Sequence, residues 1–164
     1  MFKPIKLILL LIFLCSFYLT SSAQEKSTVI KQLSKDADVI LLGKVTKKVS
    51  NWNESKTRIY TTTTVQPEEY FKGIGNEDNL VIRTLGGEVD DVGELYTHTP
   101  IFKDDEEVMV FLKKDENNKE YKVLNGEEGK ITVIKDEKTQ EKVTNSKLRI
   151  KDLKAQIKRY INEK

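Results

Sequence analysis

The stretch TRIYTTTTVQPEEYFKG, Thr57 to Gly73, decides the fold. Four consecutive threonines read either as a low-complexity linker or as a strand. At a period of two, Ile59, Thr61, Thr63 and Val65 fall on one side. Tyr60, Thr62, Thr64 and Gln66 fall on the other. Threonine is β-branched, stiff at χ1 and favoured on a half-buried pleated surface. The stretch therefore predicts a strand, and its small side chains suit the limited space inside a barrel. Pro67 has no N–H to give to a ladder, so the strand is expected to be interrupted or at an edge there. Glu68-Glu69 break the alternation before Tyr70 and Phe71 return to apolar character, which predicts a bulge.

The neighbouring segments alternate in the same way. In Asp38 to Ser50, residues Val39, Leu41, Gly43, Val45 and Val49 share one face. Ile40 and Leu42 make the start of this strand apolar on both faces, so its second face needs a cover. SNWNESKTRIY joins the first two strands as a hairpin tip bearing Trp52, the sole tryptophan. Asn79 to Leu85 is a third strand, stopped by Gly86-Gly87, and a long acidic loop runs from Gly87 to Glu106. The continuous apolar run EVMVFL, Glu107 to Leu112, marks the most buried strand. A polar turn around Asn117-Asn118 leads to Tyr121 to Leu124, which pairs back as a hairpin. Gly129 to Ile134 forms a further strand, followed by a turn at Asp136 to Gln140 and a short strand near Glu141 to Thr144.

Helices stand at both ends of this series. Val29, Ile30 and Leu33 give a short helix over Ser27 to Lys35, and Ile150, Leu153, Ile157 and Ile161 recur at three- and four-residue steps. These two helices are candidates to cover Ile40 and Leu42, and the terminal one is also expected to plug the barrel. The pattern as a whole predicts a mainly β domain over residues 24–164. Its expected form is a small five-stranded OB-like barrel with an extra hairpin and a C-terminal helix at about 150–162.

The N-terminus predicts export. Lys3 and Lys6 precede an apolar run from Leu7 to Leu19, followed by Ser21-Ser22-Ala23. That is the pattern of a signal peptide, residues 1–23, cleaved after Ala23. A membrane anchor is the alternative, but the run falls short of the roughly 20 residues a spanning helix needs. Lipidation at Cys15 is disfavoured because Phe13 and Leu14 stand where a small residue is required. The segment holds two of the 28 basic residues and none of the 26 acids, so 26 of each remain beyond it. A mature chain with no net charge gives no reason to expect a nucleic-acid partner. It would also contain no cysteine, so an ordinary core, and no disulfide, must hold it together.

Chemistry-bearing residues are sparse. His98 is the sole histidine and lies in a loop, with no G-x-S-x-G elbow before it. Gly86-Gly87 is followed by Glu88 and not by a phosphate-binding lysine. Glu88, Asp90 and Gly93 match the first, third and sixth positions of a calcium loop, but Val92 and Thr99 break the pattern at the fifth and twelfth. No cofactor or metal site is expected, and the acidic loop reads as solvated. Trp52 reads as packed over the barrel end or as an exposed contact for a partner.

ADVILLGKV, IYTTTTVQPEEYFKG, NLVIRTLGG and FKDDEEVMVFL, taken together, resemble the strand order of netrin-like modules of the tissue-inhibitor-of-metalloproteinases type. The outline is also similar to secreted bacterial proteins with a Gly-Gly loop followed by an F-x-x-x-E-E-V strand. The resemblance covers Ala37 to about Leu112 and implies a five-stranded, partly open barrel whose loops at one end meet a ligand. Inhibitors of that type chelate a protease zinc through an N-terminal cysteine, which a chain beginning at Gln24 lacks. The expectation is therefore a periplasmic or extracellular, non-catalytic binding module without a stable membrane anchor. It would engage a protein or cell-envelope polymer through Trp52, Gly86, Gly87, Glu88, Asp90, Asp91, His98 and Phe102. A glycan binder using the Tyr60, Thr62, Thr64, Gln66 face, a protease-inhibitor-like protein lacking the zinc-chelating cysteine, a carboxylate-pair hydrolase and a purely structural role are the alternatives.

Overall fold

The structure is a computed structural model that describes residues 27–73, 78–115 and 120–163. The expected signal peptide and the Asn117-Asn118 turn lie outside the described residues. The elements in order are α1 (residues 27–36), β1 (Val39–Trp52), β2 (Ile59–Lys72), β3 (Leu80–Leu85), β4 (Gly87–Val89), β5 (Val92–Glu94), β6 (Glu107–Lys114), β7 (Tyr121–Val123), a 3-10 turn (Gly126–Gly129), β8 (Lys130–Lys135), β9 (Lys142–Thr144) and α2 (Ile150–Asn162).

Five strands close a mixed barrel in the order β1-β2-β3-β7-β6, with β6 pairing back to β1. The β3–β7 contact is parallel and the other pairs around the ring are antiparallel. This arrangement is compatible with an OB-like fold. β8 and β9 extend the sheet from β6 as an extra hairpin, and β4 with β5 forms a second, two-stranded sheet. The mainly β architecture with a C-terminal helix is the one the alternation predicts.

Closure explains why β1 and β6 are apolar on both faces. Val39, Leu41 and Val45 meet Val65, Ile82 and Val110 inside the barrel. Ile40, Leu42, Met109 and Phe111 point outward and pack under Leu33 of α1 and Leu153 and Ile157 of α2. The helices thus cover the outer face, as Ile40 and Leu42 require. Helix α2 does not plug the barrel: its apolar stripe matches the outer side chains of β1 and β6, while the interior is filled by the strands themselves.

The threonine strand runs through Pro67 without a break. Pairing with β3 ends at Val65↔Leu80, so beyond that point β2 has β1 as its ladder partner. The missing N–H of Pro67 therefore falls where the strand has an edge. Leu42 faces Glu69 and Gly43 faces Pro67, which leaves Glu68 as the extra residue of a bulge. A further bulge on β1 leaves Thr46 unpaired between Val45 and Lys47. It reverses the alternation, so Val49 is 39% exposed instead of sharing the Val45 face, and Lys48 and Ser50 turn towards the barrel end in its place.

Candidate functional site

The inner face of β2 changes character towards the hairpin end. Val65 is apolar, but Thr63, Thr61 and the facing Ser50 are polar. Ser50 and Thr61 share a hydroxyl hydrogen bond of 2.9 Å, and Thr61 Oγ1 donates to the Gly86 carbonyl at 2.7 Å. Gly86 N–H donates in turn to the Ile59 carbonyl at 2.8 Å. These bonds draw the chain across the barrel end at a point where Gly86 has φ 92° and Gly87 φ 134°. A Cβ on Gly87 would collide with the Thr61 and Ser50 hydroxyls, so only glycine fits both the dihedral and the space.

The β4–β5 hairpin follows, turning at Asp90 with φ 53°. Glu94 anchors it: its Oε2 accepts the Ile59 N–H at 3.0 Å and the Tyr96 hydroxyl at 2.9 Å. Burial, and then the Glu94 hydrogen bond, hold the Tyr96 hydroxyl above its ordinary value of 10.0. The return segment is clamped by Lys130. Its Nζ donates to the Ile101 carbonyl at 2.6 Å, pairs with Glu106 at 2.7 Å and lies 5.0 Å from the centroid of the Phe102 ring. Both side chains of the Lys130–Glu106 pair are 10% exposed, so this ion pair is largely shielded from water.

Between these anchors lies a cleft of about 800 Å³. Lys48, Ser50, Thr61 and Thr84 line it from the barrel side, while Leu95, Tyr96 and Ile101 line it from the loop. Leu95 is 83% and Ile101 60% exposed, the two most exposed large apolar side chains among the described residues. The Lys48 ammonium is 3.3 Å from the Phe102 carbonyl and donates to it.

Of the residues expected at a site, Gly86, Gly87, Glu88, Asp90 and Phe102 line this cleft. Asp91 sits beside them, exposed at the hairpin tip. His98 is exposed, with φ 62°, and its carbonyl accepts the Glu127 N–H at 3.0 Å, so its backbone ties the loop to the 3-10 turn. Trp52 is half-buried at the end of β1, opposite Ile59 in the ladder, and does not line the cleft. Its hairpin tip is organised by Asn53, whose Oδ1 accepts the N–H groups of Thr57 and Arg58. Glu88, Asp90 and Gly93 belong to a β-hairpin, not to a calcium loop between helices. Among the described residues no group of three or more His, Cys, Asp or Glu side chains converges as metal ligands. Leu95, Tyr96, Ile101 and Lys48 were not singled out from the sequence. The available signal was that Leu95 and Ile101 are aliphatic residues in a stretch without alternation to bury them.

No family model, curated protein or solved structure matches the chain.

Proposed function

We propose that the chain is an exported, non-catalytic binding module that engages a protein or cell-envelope polymer through the cleft at the barrel end. The observation that carries this reading is the exposure of Leu95 and Ile101 on the wall of a cleft built on a hydrogen-bonded scaffold. Apolar side chains held out in water beside a concave surface favour a partner that covers them. The OB-like strand order and the Gly86-Gly87 turn support a distant netrin-like relationship, in which loops at one barrel end meet the ligand. The basic, apolar and small-residue pattern of residues 1–23 supports export to the periplasm or beyond. The glycan reading on the outer face of β2 has less in its favour, because Arg83 stands 4.1 Å from the Tyr60 ring centroid and occupies that stacking face.

The test is capture from a cell-envelope extract on the immobilised chain. The double variant Leu95→Ser/Ile101→Ser is expected to lose the specific partner while keeping the wild-type circular-dichroism spectrum. Lys138→Ala, in the β8–β9 turn, is expected to keep it. An identical set of captured molecules for all three proteins would remove the cleft from consideration, and turnover of a substrate by the purified chain would remove the non-catalytic reading.

A further inference from the structure

Three features of the cleft define the chemistry of its occupant. The first is charge. Between Gly87 and Pro100 the chain carries Glu88, Asp90, Asp91 and Glu94 and no lysine or arginine. Glu88 and Asp90 line the cleft and Asp91 adjoins it, and all three are exposed. None of the three has an ion-pair partner among the described residues, whereas carboxylates of the helical side such as Glu69, Asp152 and Glu163 are paired. Lys48, the cleft's basic side chain, donates to the Phe102 carbonyl and keeps its charge, so the lining carries three carboxylates, Glu88, Asp90 and Glu94, against one ammonium. A concave surface with an excess of one sign of charge raises the local concentration of the opposite sign.

The second feature is backbone. β5 is hydrogen-bonded to β4 alone, and its Gly93 and Glu94 line the cleft. Among the described residues its other edge has no strand beside it. An unpaired edge accepts another extended chain. The third feature is the pair of exposed aliphatic side chains, Leu95 and Ile101.

We infer that the cleft takes a basic, extended polypeptide segment bearing aliphatic side chains, laid along β5 with its cations towards Glu88, Asp90 and Asp91. This inference rests on the cleft reading above and names the partner's chemistry. A second copy of the chain fits less well. The basic, extended segment it would offer at a sheet edge is β9, whose Lys142 is already paired with Glu107 and Glu68 and whose Val143 is bridged by Arg149.

The experiment is fluorescence anisotropy of the full chain with three labelled peptides: alternating lysine and valine, alternating glutamate and valine, and alternating lysine and serine. The lysine–valine peptide is expected to bind, and to bind more weakly as salt is raised. Neutralising the rim with Glu88→Gln/Asp90→Asn/Asp91→Asn is expected to weaken it about tenfold, the sum of three exposed charge contacts. Leu95→Ser/Ile101→Ser is expected to weaken it similarly. Equal binding of the glutamate–valine peptide, or an unchanged affinity in the neutralised variant, would overturn the basic-partner inference while leaving the cleft intact. Lysine–valine binding that survives both variants would overturn the cleft reading as well. Self-association in sedimentation that Leu95→Ser abolishes would place a second copy there and overturn the inference.

Discussion

The Thr63 hydroxyl is fully buried and has no hydrogen-bond partner among the described residues, whereas that of Thr61 is satisfied by Gly86 and Ser50. An unmade hydrogen bond in the interior costs roughly 1–3 kcal/mol. Valine keeps the β-branched shape without the polar atom, so Thr63→Val is expected to raise stability by about 1 kcal/mol, read from the urea midpoint. A lowered midpoint would show that the hydroxyl has a use. Lys130 presents the opposite case. Lys130→Met would leave the largely shielded Glu106 carboxylate with the Lys103 N–H but without its cation, and should cost about 2 kcal/mol. The double variant Lys130→Met/Glu106→Leu should recover part of that loss, and if it is no more stable than the single variant the pair is not the source. Neither residue stood out in the sequence. Shielding of the ion pair depends on the segment before β6 meeting the start of β8 at the barrel end, and no local pattern records that meeting.

Elements were legible where periodicity had room to show. The threonine face of β2, the two-sided apolar starts of β1 and β6, and the stripe of α2 each span enough residues to reveal which side is buried. β4 and β5 have three residues each, too few for alternation to register, so their segment read as a plain loop. Alternation alone puts Val49 on the inner face, because the bulge at Thr46 shifts side-chain direction without altering composition. As for the cleft, its glycines and acids were visible as turn and charge signals, but its apolar wall was not. The β4–β5 hairpin yields a paired test of glycine. Gly87→Ala meets both an unfavourable dihedral and the hydroxyls of Thr61 and Ser50, and is expected to cost about 2 kcal/mol. Gly93→Ala meets open space and should change stability by less than about 0.5 kcal/mol. Equal urea midpoints for the two variants would mean that β4 is not held against the barrel as described.

At the scale of the molecule, ion pairs tie the helical cover and the extra hairpin to the barrel, and together with hydrogen-bonded carboxylates they are expected to shape the pH dependence of stability. Asp38, between α1 and β1, accepts the Lys113 ammonium at 2.8 Å and the Lys114 N–H at 3.0 Å. These bonds hold its carboxyl below the ordinary value of 3.8. Asp136 is lowered chiefly by backbone N–H groups in the β8–β9 turn, and Glu163 by Lys31, which links the end of α2 to α1. A carboxyl lowered in the folded state contributes stability that is present above its unfolded value and is lost as pH falls through its folded value. Lys142 has the opposite sign. Glu107 raises its ammonium above 10.5, so its contribution is present below that value and is lost as pH rises through the folded one. The melting temperature is therefore expected to be level across neutral pH, to fall below about pH 4 and to fall again above about pH 10. Asp38→Asn/Asp136→Asn should lower the neutral plateau and flatten the acid limb, because the variant has fewer carboxylates left to protonate. Calorimetric scans across pH decide it: an acid limb as steep in the variant as in the parent would assign acid sensitivity to other groups and leave these two carboxylates without the role their hydrogen bonds imply.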